Sequence, residues 1–218
     1  MILSQGMYFS ESQIKNIIFD WGGVITNIDP EKSAEAFQEL GFPGFRNHYG
    51  VAEQIEFYRL FEEGKISPAE FRSKIREYIR GEVTDEEIDH AWSAMLLDTP
   101  KDRWELLTML KNKYRTFLLS NTSSIHVERY FDYLSKVYGV RGYNHLFENV
   151  YFSFELCVRK PDLRIFEIVL RDNNLKPDET LYIDDVKKNT DAAKRLGMHT
   201  YHLQPPETLT DIFNYGKD

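Results

Sequence analysis

Cysteine is nearly absent: Cys157 is the single one in 218 residues. An intrachain disulfide is excluded, and the count fits a reducing compartment. No basic group and histidine surround Cys157 in a nucleophile pattern, so it reads as an inert core thiol. Positive charge is also short. The 27 Lys and Arg face 35 Asp and Glu, a net charge of −8, which disfavours nucleic acid and anionic membranes as partners. No apolar run approaches the ~20 residues needed to cross a bilayer. The opening stretch MILSQGMYFSES has neither the basic start nor the apolar run of a secretory signal. Internal repeats and low-complexity linkers are missing as well. The expected setting is the cytoplasm.

What is present is enough apolar chain for a core: 42 % hydrophobic and 14 % aromatic residues suit a globular protein rather than a disordered one. The organising stretch is IKNIIFDWGGVITNID, residues 14–29. A short apolar run closed by Asp20 and two glycines predicts a buried parallel strand opening into a tight loop. That loop puts Asp20 at the carboxyl end of a strand, where open α/β sheets bind ligands. Trp21 reads as a packing residue.

About 70 residues of helical pattern follow. Helices are expected over 31–40 and 51–63. A third opens at Ser67-Pro68-Ala69-Glu70, an N-cap with a first-turn proline and a capping-box acid, and buries Phe71, Ile75, Tyr78 and Ile79. Thr84 to Glu87 repeats the signal ahead of Ile88, Trp92 and Met95. From Pro100 onward helices and strands alternate: a helix over 102–112, a strand over 115–119, a helix over 124–138, a strand over 149–154, a helix over 162–173. A strand over 180–183, a helix ending at Gly197, a strand over 199–203 and a terminal helix complete the chain. Strands separated by helices imply right-handed crossovers and a mostly parallel sheet covered on both faces. The fold class is therefore α/β, a mostly parallel sheet core with a small helical bundle inserted between its first and second strands. The core is expected over 1–26 and 98–218, and the inserted bundle over 27–97.

Four polar clusters fall where strands end: Asp20; Ser120-Asn121-Thr122; Arg159-Lys160-Pro161 in the loop before a helix; and Asp184-Asp185 with Asn189 beyond. In one parallel sheet these ends converge on one edge. Carboxylates gathered there repel unless a cation joins them, and Mg²⁺ suits a few carboxylate oxygens, water and phosphate. Lys160 would offset the phosphoryl charge, with Ser120 and Asn121 donating hydrogen bonds to its oxygens. An Asp in such a pocket can attack phosphorus and form an aspartyl phosphate.

FDWGGV, LLSNT, RKPDLRIF and YIDDVKKN, in that order, resemble the four motifs of the haloacid-dehalogenase superfamily, specifically its phosphatase branch. The wording is similar to bacterial proteins akin to α-glucose-1-phosphate phosphatase. The helical insert resembles that superfamily's four-helix cap, and the sheet its Rossmann-like core. The resemblance implies a Mg²⁺-dependent phosphomonoesterase acting on a small phosphorylated metabolite, a sugar phosphate favoured. It implies Asp20 as nucleophile and metal ligand, the Gly22 carbonyl as a second ligand and Asp185 as the direct carboxylate ligand. Asp184 and Asn189 would hold water and loop in place, Ser120 and Asn121 would bind phosphate, and Lys160 would steady nucleophile and phosphate together. Nothing bears on oligomeric state.

One position departs from the family pattern. Most of its phosphatases carry a second Asp two residues after the nucleophile, as general acid and base; here that position is Gly22. Proton transfer of this kind is worth ~10²–10⁴-fold. Two expectations follow: a substrate with a good leaving group, such as an anomeric oxygen, or a proton from an ordered water or from the cap, with His48 and Glu53 as the cap candidates. The competing readings are a metal-free 2-haloacid dehalogenase, a β-phosphoglucomutase-like phosphoryl transferase and a regulatory protein that has lost turnover.

Overall fold

Residues 16–19 form the first strand, and every side chain on it is buried. Alternation sends Ile17 and Phe19 to one face of the sheet and Ile18 to the other. Each face meets its own apolar cluster, Ile17 and Phe19 with Leu118, Leu181 and Ile183, and Ile18 with Phe117, Leu119 and Tyr182. Burial on both faces is why this segment reads as continuous hydrophobe rather than as an alternating pattern.

The computed structural model describes residues 13–42, 45 and 56–215. Five strands, β1 (Asn16–Phe19), β2 (Arg115–Ser120), β3 (Asn149–Phe152), β4 (Thr180–Asp184) and β5 (His199–His202), form one sheet in the order β3-β2-β1-β4-β5. Every pairing is parallel. Phe19 pairs with Leu118 on one side and Ile183 on the other. The ends of β1, β2 and β4 are thereby level.

Between β1 and β2 come α1 (Pro30–Glu39), α2 (Glu56–Glu62), α3 (Pro68–Arg76) and α4 (Asp85–Ser93). The capping boxes expected at Ser67/Glu70 and Thr84/Glu87 are both formed. These helices surround Phe37, Phe45, Tyr58, Phe61, Phe71 and Trp92. The chain leaves and returns side by side: Asn27 N donates to Asp98 O, Leu97 N to Asn27 O and Asp29 N to Met95 O, each at 2.9–3.0 Å.

The remaining helices cover the sheet: α5 (Lys101–Leu110), α6 (Ser124–Tyr138), α7 (Ser153–Leu156), α8 (Leu163–Asp172), α9 (Lys187–Arg195) and α10 (Leu209–Ile212). Among the described residues no helix is long and apolar enough to cross a membrane.

Three expectations need correction. The strand expected over 149–154 stops at Phe152, because Ser153 begins the helical turn α7. Cys157 ends that turn at φ 54° and is exposed, not a core thiol. Tyr78 lies past the end of α3, is 41 % exposed, and stacks on Phe42 instead of filling the insert's core.

Candidate active site

The parallel register brings Asp20, Ser120 and Asp184 to one edge of the sheet. The carboxylates of Asp20, Asp184 and Asp185 lie within 4.8 Å of one another. Lys160, 1 % exposed, enters this group from the loop before α8. Its Nζ is 2.7 Å from Asp20 Oδ1 and 2.9 Å from Asp184 Oδ2, and it donates to Leu119 O at 3.0 Å. So the sheet edge holds three acids against one ammonium. Two negative charges are left over, which one divalent cation cancels.

The acids differ in what surrounds them. Asp20 Oδ1 takes the Lys160 ammonium and the Trp21 N–H at 2.7 Å, leaving Oδ2 for another partner. Burial pushes the Asp20 carboxyl up to about 8; Lys160 pulls it down, but Asp184 and Asp185 push further. Asp185 rises to about 6, through burial first and then the Asp184 charge. Asp184 goes the other way. Burial alone would raise it, and Lys160, the Tyr182 hydroxyl and the Val186 N–H together hold it below the ordinary carboxylate range. The Asn189 amide adds hydrogen bonds at 3.1 Å to both Asp184 oxygens. Asp184 is thus enclosed by protein donors, whereas Asp20 and Asp185 keep oxygens facing an acid-crowded space. Carboxyl groups pushed up by burial and mutual repulsion suit a bound Mg²⁺, whose charge relieves both.

Local sequence explains the loop after Asp20. Gly23 has φ +76°, and a Cβ there would lie 2.3 Å from Asp185 Oδ2. Trp21, 2 % exposed, packs edge-on against Tyr130, and its indole N–H bonds Thr26 Oγ1 at 2.8 Å. Thr26 also bonds the Tyr130 hydroxyl at 2.9 Å and Thr99 Oγ1 at 2.8 Å. Thr26 and Thr99 flank the insert, so this knot fastens both its ends to α6 and to the loop following Asp20.

Ser120, at the end of β2, is 2 % exposed. The Asn121 side chain clasps the Lys160 backbone, donating to its carbonyl at 3.0 Å and accepting from its N–H at 2.8 Å. This places the Lys160 loop. His48 and Glu53 lie outside the described residues. Tyr182 carries no motif signal of its own, yet its hydroxyl hydrogen-bonds Asp184 Oδ2. Its position two residues before Asp184 puts both side chains on one face of β4, which is the signal that finds it. Ser153, just past the end of β3, follows the same strand-end rule and accepts from Thr122 N at 3.0 Å.

Residues 14–197 match the haloacid dehalogenase-like hydrolase family. Among curated proteins, D-ribitol-5-phosphate phosphatase of Bacteroides thetaiotaomicron is 32 % identical over 200 residues, 91 % of this chain and 94 % of that one. Among solved structures, a HAD family enzyme from Bacteroides thetaiotaomicron in complex with magnesium and inorganic phosphate superposes with a TM-score of 0.82. It is 36 % identical over 92 % of this chain and 99 % of that one. A predicted HAD-like family hydrolase from Porphyromonas gingivalis gives a TM-score of 0.80 at 31 % identity, over 89 % of this chain and 93 % of that one.

Proposed function

Because this chain belongs to the haloacid dehalogenase-like hydrolase family, we propose that it is a Mg²⁺-dependent phosphomonoesterase of small phosphorylated metabolites, sugars or sugar alcohols. The observation that carries this reading is Lys160 held at 2.7 Å from Asp20 and 2.9 Å from Asp184 inside the three-acid cluster. The relative named for D-ribitol-5-phosphate supports a polyol phosphate as the substrate class. We place the core at 1–26 and 98–218 and the cap at 27–97, which fits the side-by-side exit and return of the chain at Asn27 and Asp98.

Asp20 acts as nucleophile through Oδ2. Its oxygen bonds phosphorus as the bond from phosphorus to the leaving oxygen breaks, and water then releases phosphate and restores the carboxylate. Lys160 draws the Asp20 carboxyl down against its burial, orients it, and neutralises charge that builds on the phosphoryl oxygens. The Ser120 hydroxyl is the phosphate donor from β2, and Asn121 serves the same group by placing Lys160. Asp20, the Gly22 carbonyl and Asp185 would hold Mg²⁺, with Asp184 and Asn189 bracing the loop. The ion when bound screens the repulsion between carboxylate and phosphate. The helical insert excludes water and selects the substrate. A single, exposed thiol supports a cytoplasmic setting.

The test is phosphate release from a panel of sugar and polyol phosphates, with and without chelator, by wild type and Asp20→Asn. Release that needs Mg²⁺ and is lost in Asp20→Asn is expected; full activity in Asp20→Asn ends the nucleophile assignment. Pairing a sugar 1-phosphate with its 6-phosphate isomer tests the anomeric leaving group.

A further inference from the structure

A primary alkyl phosphate is hard to cleave because its oxygen leaves as an alkoxide unless a proton reaches it. Gly22 has no side chain to supply that proton. The insert brings a buried carboxyl group up to the loop that carries Lys160.

Glu62 is the last residue of α2 and is 6 % exposed. Its carbonyl accepts from Ser153 Oγ at 2.6 Å, and Ser153 in turn accepts from Thr122 N at 3.0 Å. The turn carrying Glu62 is therefore pinned over the ends of β2 and β3. Gly64, two residues on, lies against the Phe154 carbonyl so tightly that a Cβ would meet it at 2.0 Å. Buried Glu62 Oε2 faces the guanidinium of Arg159, the residue before Lys160, in an ion pair at 3.1 Å that lacks hydrogen-bond geometry. It also feels the charges of Lys160 and Lys188, so it sits within the electrostatic reach of the Asp20 site. Burial pushes this carboxyl up, more than Arg159 draws it down. Neighbouring Glu63 differs: Arg59 at 3.0 Å and Lys65 occupy it.

We propose that Glu62 is the general acid that Gly22 cannot be, delivering a proton from the insert to the oxygen leaving phosphorus. As the phosphorus–oxygen bond breaks, the Glu62 carboxyl proton passes to that oxygen, which departs as an alcohol. The new carboxylate is held by Arg159. A proton from the water that hydrolyses the aspartyl phosphate restores the acid, so each turnover consumes one water and leaves Glu62 unchanged. This role presupposes the phosphomonoesterase reading above.

The experiment compares two leaving groups under single turnover, which reads phosphorylation of Asp20 directly. One substrate is the alkyl phosphate that wild type cleaves fastest in the panel; the other is p-nitrophenyl phosphate, whose phenolate leaves without a proton. Glu62→Gln is expected to slow the alkyl phosphate by ~10²–10⁴-fold and p-nitrophenyl phosphate by less than about tenfold. Equal losses on both would show a positioning role and overturn the assignment, as would no loss on either. A second measurement needs no variant. Across a series of aryl and alkyl phosphates, wild-type kcat/KM should depend only weakly on leaving-group pKa, and a steep dependence overturns the acid. A wild type inert toward every phosphate fails the phosphomonoesterase reading and Glu62 with it, whereas the other outcomes touch Glu62 alone.

Discussion

Gly23 and Asp185 stand so close that a methyl group does not fit between them: a Cβ on Gly23 would lie 2.3 Å from Asp185 Oδ2. The backbone at Gly23 is also left-handed, at φ +76°. Gly23→Ala therefore pays twice, in backbone strain of about 1–2 kcal/mol and in displacement of the Asp185 carboxylate. The expected result is a folded protein whose Mg²⁺ affinity falls by roughly 10–100-fold. Titration calorimetry checks it, and unchanged affinity would remove Asp185 from the metal site.

Lys160 is enclosed between Asp20 and Asp184. Replacing it with Met leaves two buried acids facing each other without their cation. Breaking a buried pair in this way costs about 3–5 kcal/mol, and the phosphoryl charge loses its fixed partner. Lys160→Met should lose at least ~10²-fold in kcat and unfold at lower urea. Urea titration with a phosphate-release assay measures both, and wild-type kcat in this variant contradicts the role.

His126 links stability to pH. It stacks on Trp92 with centroids 4.8 Å apart, and its Nε2 lies 2.9 Å from the Trp92 carbonyl. Burial lowers it from 6.5 to about 4, so the fold holds it neutral. Between those values the unfolded chain binds a proton that the folded chain refuses. Stability from this group is complete above pH 6.5 and falls by up to about 3 kcal/mol as pH drops to 4. His126→Gln should show a shallower loss across that window in urea titrations at pH 7, 5.5 and 4.5. A slope equal to wild type would exclude His126 as its source.

Gly64→Ala tests how the insert meets the sheet. Its Cβ would overlap the Phe154 carbonyl, a backbone atom that cannot swing away, and φ is +61°. The variant should lose about 1–3 kcal/mol and lift the turn that Ser153 holds. A lower melting temperature with a raised KM is expected, and a neutral substitution would show that the two surfaces are not in firm contact.

The four motifs were legible because each combines a buried apolar strand with an abrupt polar end, a pattern of period and punctuation that a one-dimensional reading detects. Asp20, Lys160, Asp184 and Asp185 fall together for that reason. Glu62 was not legible: within Glu62-Glu63-Gly64-Lys65 it looks like any solvated charge run, and only tertiary packing separates it from Glu63. Cys157 misled for the converse reason, since cysteine is usually buried but here closes a left-handed turn at the surface. Its place at a strand end makes Asn121 look like a donor to phosphate, while its amide is turned onto the Lys160 backbone; side-chain direction is not encoded in strand spacing.

The Thr26–Thr99–Tyr130 knot ties down the two threads that lead into and out of the helical insert. A chain that departs and re-enters through one doorway can have the intervening cartridge exchanged without disturbing the strand order behind it. Such a graft would carry off Glu62 yet leave Asp20, Lys160 and Asp185 in place. Descendants of this architecture could then diverge in which alcohols they release while inheriting the same attack on phosphorus.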